Sequence, residues 1–304
     1  MKIEVSIIIV NYNTKQLTLD CLKSIYEYTA NVEFEVILID NASVDDSVEE
    51  IRNIFPFVKV IESNKNLGFG KANNLGAEHA LGEMLLFLNS DTILINNSVK
   101  ILYDFLIQNP DAGVCGGNLV DININPATSF SVSKPSVCSD IDYFFFNIFS
   151  KLIYKNIYYN YSSKPMKIYG SISGADYMVR KEVFDDVGGF DKDFFMYYEE
   201  TELSYRIIKK GYNIYNVPSV KIIHLEGASE VVKEKSLDRT LISKKIYYQK
   251  TSSLFLYYLS NFIFFLTIIQ RMSIFRLIGN KKKYLYWLSF YKWSLVKLQK
   301  NINN

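Results

Sequence analysis

The chain has 304 residues, 49% of them hydrophobic and 22% charged, enough apolar material for one large or two modest domains whose core needs no cross-link. Six prolines exclude a collagen-like repeat, three scattered cysteines (Cys21, Cys115, Cys138) exclude a disulfide scaffold and fit a reducing compartment, and two distant histidines, His79 and His224, cannot complete a Cys/His zinc cage. The net charge of +2 conceals two halves: all 32 acidic residues lie at or before Asp238, leaving −10 there, while the last 66 residues carry +12 and 15 of the 46 aromatics.

The apolar run in the opening MKIEVSIIIVNYN spans about five residues, too short for a signal-peptide core, so the cytosol is the expected compartment. Short β-branched runs then alternate with helical patterns as far as Leu119. Strands are expected at Val5 to Val10, Phe34 to Ile39, Val58 to Glu62, Met84 to Leu88 and Gly113 to Val120, and helices at Gln16 to Tyr28, Asp45 to Phe55, Gly70 to Leu81 and Ser98 to Asn109. Continuously apolar strands joined by crossover helices predict an α/β fold with an open, mostly parallel sheet and helices on both faces. Ligands of such sheets sit beyond the carboxyl ends of the strands. The polar residues of this half gather there, as Asn11-Tyr12-Asn13, Asp40-Asn41-Ala42-Ser43 and Asn89-Ser90-Asp91.

Asp121 to about Pro165 has no clean period and contains an amphipathic aromatic patch from Asp142 to Tyr161; a mobile insertion near the active site is expected. Lys167 to Leu225 returns to α/β character, with an acidic helix start at Tyr198 to Arg206. Thr251 to Gln270 has no charge over 20 residues, but seven of them are Ser, Thr, Asn or Gln, so a helix in or under a membrane interface is expected rather than a span. Basic and aromatic residues without acids are what an anionic membrane surface attracts. The cations flank long apolar stretches instead of interleaving with polar ones, which disfavours nucleic acid.

Three segments carry chemistry. In NLGFGKANNLG (Asn66 to Gly76), Gly68 and Gly70 would let amides at a helix start approach an anion; a glycine-rich turn without ligand reads equally well. In FLNSDT (Phe87 to Thr92), Asp91 ends a buried strand, where a carboxylate holds Mg²⁺ or Mn²⁺ or caps the next helix. In GGFDKDFFMYYEETELSYR (Gly188 to Arg206), Glu199, Glu200 and Glu202 emerge from an aromatic run, a setting that raises a carboxylate's pKa and suits a general base; a solvated helix start is the alternative. His224 closes an apolar run, as a structural residue or a metal ligand.

The order of these blocks, from SIIIVNYNT (Ser6 to Thr14) and IDNASVDDS (Ile39 to Ser47) through NLGFGKANN, FLNSDT and Ser173 to Tyr212 to HLEGAS (His224 to Ser229), resembles the inverting family 2 glycosyltransferases of the GT-A fold. The nearest likeness is to the rhamnosyltransferase-like branch of bacterial O-antigen and capsule synthesis. It covers about residues 4 to 230 and implies a glycosyltransferase domain over 1–238, divided into a nucleotide-sugar half (1–120), the insertion (121–166) and an acceptor and catalytic-base half (167–238). A helical basic-aromatic tail over 239–304 would associate with membrane or form a homodimer contact.

The resemblance implies donor binding by Val10, Asn11, Tyr12, Asp40, Asn41, Gly68, Gly70, Asn89 and Ser90, metal ligation by Asp91 with His224, and a catalytic base at Glu200 supported by Glu199 and Glu202. Only the last position of the metal-binding triplet Asn89-Ser90-Asp91 is acidic, which gives His224 more weight, and Glu200 stands where Asp is usual. The implied reaction moves a sugar, dTDP-rhamnose being the first choice of donor, to a hydroxyl of a lipid-linked or oligosaccharide acceptor, on the inner face of the bacterial cell membrane. A sugar nucleotidyltransferase would need a Gly-rich, basic loop after the first strand, and VNYNTKQ has none. The incomplete triplet leaves a non-catalytic glycan-binding scaffold as the other alternative.

Overall fold

Val5 to Ile9 are buried without a polar-facing alternation except for Ser6, so the first strand needs apolar cover on both sides. A computed structural model describes residues 2–154, 161–225 and 233–302. The aromatic patch at 155–160 and the HLEGAS block at 226–229 thus fall outside the described residues.

In chain order the elements are β1 (Val5–Asn11), α1 (Lys15–Tyr28), β2 (Phe34–Asp40), α2 (Ser47–Ile54), β3 (Lys59–Glu62), α3 (Phe69–Glu78), β4 (Met84–Asn89), β5 (Thr92–Leu94), α4 (Ser98–Gln108), β6 (Ala112–Val120) and β7 (Phe130–Ser131). There follow α5 (Val137–Phe144), α6 (Ile148–Ile153), β8 (Met166–Ile168), β9 (Ser171–Ile172), β10 (Asp176–Arg180), α7 (Lys181–Val187), α8 (Glu199–Lys209), β11 (Asn213–His224), α9 (Lys233–Thr251), α10 (Leu254–Leu277) and α11 (Lys281–Ile302).

The main sheet runs β3-β2-β1-β4-β10-β6-β11-β5, with β8 on β11. Strands β1 to β4 are parallel, as the apolar runs of β1, β2 and β4 predict. The strand read at Gly113 to Val120 does not lie beside β4: β10 enters between them, antiparallel to both, with Tyr177 opposite Phe87 and Met178 opposite Cys115. The sheet is therefore mixed. Period-2 alternation then sorts the core into two layers. Ile7, Ile9, Leu38 and Leu86 face α1 and α4, whereas Ile8, Ile39, Leu85 and Phe87 face α3, α7 and α8.

The chain divides into two units, 1–134 with 157–243, and 135–156 with 244–304. The first holds the sheet. In the second, the amphipathic patch that the sequence shows as an insertion forms α5 and α6, and α5 packs on α10. Ser136 and Ser139 form a capping box at the start of α5, and Asp142 accepts from the amides of Phe149 and Ser150 to start α6. Arg271 lies 3.3 Å above the Phe146 ring and donates to the Tyr143 carbonyl at 2.7 Å.

Helix α3 reaches the sheet closely because residue 76 has no side chain. A Cβ there would stand 2.4 Å from Cγ2 of the fully buried Ile8. Gly76→Ala therefore sets a helix-propensity gain of about 1 kcal/mol against overpacking of about 1–3 kcal/mol. With Ile8 clamped in a strand, the clash wins: urea unfolding should show a variant less stable by about 1 kcal/mol or more.

Candidate active site

The carboxyl end of β1 is organised by one buried amide. The two N–H groups of Asn11 Nδ2 are shared among Asp40 Oδ1 (2.9 Å), Ser43 Oγ (3.0 Å) and Ser47 Oγ (2.7 Å), and its Oδ1 accepts from Thr14 and Thr18, each at 2.9 Å. Every polar valence is used inside the protein. Asn11 and Asp40 therefore hold the loops after β1 and β2 together, and neither lines the main cavity. Their neighbours do: Val10 and Tyr12 from β1 and its loop, and Asn41, whose side chain accepts from Leu67 N–H and donates to Asn66.

That cavity, about 520 Å³, lies within the range of small-molecule sites. On one wall Asn89, Ser90 and Asp91 follow β4, and Thr14 Oγ1 lies 3.1 Å from Ser90 Oγ. Strand β5 pairs antiparallel with β11, with Thr92 opposite His224, and Leu225 N–H donates to the Asp91 carbonyl. This pairing sets Asp91 Oδ1 3.3 Å from His224 Nε2. Two donors at right angles on an octahedral ion of the Mg²⁺ type are about 3.0 Å apart, so the pair fits two adjacent positions of one divalent cation. Among the described residues no three His, Cys, Asp or Glu side chains converge, so other positions on such an ion are left to phosphate oxygens and water.

The glycine-rich turn reads differently in three dimensions. Gly68 lines the cavity, but its amide donates to Asn66 Oδ1 and that of Phe69 to the Phe195 carbonyl. Residue 68 has φ +81°, and a Cβ there would stand 2.2 Å from Phe195 O. Gly70 lies off the cavity, against Phe190 and Glu199. Gly68 admits the Phe195 backbone, and Gly70 admits the Phe190 and Glu199 side chains. The amides of residues 68 and 69 are thus engaged by Asn66 Oδ1 and the Phe195 carbonyl.

Across the cavity, Phe195, Met196 and Tyr197 lead into α8, which opens on Glu199 and Glu200, both lining. Tyr197 and Tyr198 have φ +71° and +69°, a left-handed conformation that is costly for such side chains and collects at functional sites. Helix α9 holds this segment: Ser243 Oγ donates to the Met196 carbonyl at 2.8 Å, and Tyr197 and Ser236 hydroxyls meet at 2.8 Å. Burial raises the pKa of both carboxyls, Glu199 well above the usual range, with repulsion from Glu200 as a second cause. Glu200 accepts from Thr201 Oγ1 at 3.0 Å, which offsets part of its rise, and Gly174 leaves space beside its stem. Glu202, expected as a supporting acid, is off the cavity. Its buried carboxylate is gripped by Arg206, which also donates to the carbonyls of Val187 and Gly189 and so ties α8 to the preceding loop.

Lys235 and Arg239 also line the cavity; neither is expected as a site residue from the sequence, which places Arg239 in the basic tail. Their i,i+4 spacing on one helix face is the sequence signal that marks them as a pair. Arg239 sits over the Phe195 ring at 5.2 Å.

One cavity thus joins a carboxylate–imidazole pair after the fourth strand of a mixed α/β sheet to raised carboxyls opposite. Residues 6–186 match the model of Glycosyl transferase family 2, and the chain belongs to that family and is a glycosyltransferase. It is 28% identical over 210 residues to the N-acetylglucosaminyl-diphospho-decaprenol L-rhamnosyltransferase of Mycobacterium tuberculosis, covering 64% of this chain and 67% of that one. It is 27% identical over 202 residues to the dTDP-rhamnosyl transferase RfbF of Shigella flexneri (64% and 61%). The fold is similar to GalNAc-T7 solved with UDP, GalNAc and Mn²⁺ (TM-score 0.61, 19% identity) and to TarS of S. aureus (TM-score 0.54, 16% identity). The matches cover 81% and 89% of this chain and 48% and 44% of those, so it spans about half their length and is similar to them in the GT-A fold.

Glu199 Oε2 is buried and makes no hydrogen bond among the described residues, so the native state favours the protonated acid. Its native pKa is raised above the unfolded value of about 4.3, so stability is fully present below that value and declines as pH rises through the native pKa. Glu199→Gln should make this decline shallower in thermal unfolding followed across a pH series. An unchanged slope would show the carboxyl to be compensated.

Proposed function

We propose that this chain is an inverting, metal-assisted glycosyltransferase that moves a sugar from a nucleoside-diphosphate donor to a hydroxyl of a lipid-linked glycan during bacterial cell-surface polysaccharide synthesis. The observation that carries the reading is one cavity lined both by the Asp91–His224 pair and by Glu200, a carboxyl whose pKa burial raises. Two relatives support dTDP-rhamnose as donor, since one is named a dTDP-rhamnosyl transferase and the other an L-rhamnosyltransferase, and the second name also carries a diphospho-decaprenol. The site of action we propose is the cytoplasmic face of the cell membrane.

Tyr12 and Asn41 border the donor's nucleoside, and Asn89, Ser90 and Asp91 its diphosphate. Asp91 and His224 would hold Mg²⁺ or Mn²⁺, which when bound supplies positive charge against the departing diphosphate. Glu200, as carboxylate, takes the proton of the acceptor hydroxyl; that oxygen bonds to the anomeric carbon from the face opposite the leaving group as the bond to the diphosphate oxygen breaks. Lys235 and Arg239 give the same cavity a cationic side for the released charge. Burial and the neighbouring Glu200 raise the Glu199 pKa, which disfavours a second negative charge beside Glu200.

Positioned general bases contribute typically 10²–10⁴-fold, so Glu200→Gln should lower kcat by about that factor with donor Kd nearly unchanged. Wild-type kcat should rise with pH through a midpoint above the ordinary glutamate value, because burial raises the Glu200 pKa. A variant with wild-type turnover would remove Glu200 from this role.

Donor and metal are tested together by thermal shift and turnover. Near-saturating ligand, at about 100 times its Kd, adds roughly 2.7 kcal/mol, so dTDP with Mg²⁺ or Mn²⁺ should raise Tm more than UDP does. EDTA or Asp91→Ala should remove most of that gain and abolish transfer. Equal shifts for both nucleotides would leave dTDP-rhamnose without support, and full activity in EDTA would end the metal-assisted reading.

A further inference from the structure

Helix α10 has its polarity reversed. Its buried residues are Tyr257, Ser260, Thr267, Ile268 and Arg271, three of them polar or charged. Its exposed large side chains in the same stretch are Phe255, Tyr258, Phe262, Leu266 and Ile269, spaced by three and four residues and therefore on one stripe opposite the buried set. Phe255 is 73% exposed and Phe262 57%. The polar residues find partners inward: Ser260 donates to Asp140, and Arg271 stacks on Phe146 and donates to the Tyr143 carbonyl. A helix that turns serine, threonine and arginine inward and phenylalanine outward is suited to an apolar surrounding.

Charge identifies that surrounding. The unit carries two acids, both tied internally: Asp140 by Ser260 with Lys244 nearby, and Asp142 at the start of α6. Its outward charges among the described residues are Lys and Arg, including Lys281, Lys282 and Lys283 at the start of α11. A second copy of the same unit would bring like charge against like.

We infer that the outward stripe of α10 lies in the interfacial layer of an anionic lipid bilayer, parallel to its plane, with the lysines at the headgroups. This deepens the membrane-surface reading above and rests on it. The 24 residues of α10 are long and apolar enough to cross a bilayer. Crossing would place Arg271 and the Ser260–Asp140 bond at hydrocarbon depth, whereas the in-plane pose wets only the apolar stripe.

The experiment is flotation of the full-length chain with vesicles of phosphatidylcholine, with and without phosphatidylglycerol. Wild type should bind the anionic vesicles, and Phe255→Glu with Phe262→Glu should weaken binding about tenfold or more while circular dichroism and donor hydrolysis stay unchanged. Lys281→Ser, Lys282→Ser and Lys283→Ser together should weaken binding and reduce its salt dependence. A double-Glu variant that floats like wild type overturns the proposal. So does a wild type that ignores vesicles and sediments as a dimer that the double variant splits, since the stripe is then a subunit interface. Vesicle binding that obeys the stripe in a chain without transferase activity would leave the surface standing and remove only the catalytic reading.

Discussion

The pairing of β5 with β11 is the contact on which the proposed metal-binding wall depends. Three residues of β5 suffice, because Thr92 opposite His224 and the Leu225 amide on the Asp91 carbonyl set both ends of the register. A one-residue slip would turn the imidazole to the other face of the sheet and separate it from Asp91. The two donor atoms come from segments more than a hundred residues apart in sequence. They meet because β6 and β11 run parallel beside the inserted β10 and carry His224 back to the end of β4.

Facing that wall, the carboxyl side is assembled from conflicts that local structure alone would avoid. Two consecutive tyrosines in left-handed conformation precede α8, a glycine at 68 admits a backbone carbonyl, and two glutamates share a desolvated pocket. Each costs free energy, and α9 offsets part of the cost by bonding the Met196 carbonyl and the Tyr197 hydroxyl. Strain of this kind persists only where neighbours hold it in place.

Helix α10 inverts the usual partition of polar and apolar residues. Its inner contacts include an arginine over an aromatic ring and a serine on an aspartate, and its outer stripe is apolar. Catalytic and helical units thus solve different solvation problems within one chain.

Sequence alone determined the parallel half of the sheet, because runs such as SIIIV and VILID are too apolar for any face exposed to water. It also determined the ordered polar blocks at the strand ends, the aromatic setting of Glu199 and Glu200, and the charge division near Asp238. Tertiary structure alone decided which of these residues face the cavity. Asn11, Asp40 and Glu202 turned inward, since each found internal partners that use its hydrogen-bonding capacity, and Gly70 served packing. Lys235 and Arg239 entered the site from a helix whose sequence shows only ordinary surface charge. Strand β10 was invisible as an antiparallel insertion because a five-residue strand with four buried residues carries no record of direction. Periodicity reports how many faces a segment buries; which partner covers each face is set by contacts between residues far apart in the chain.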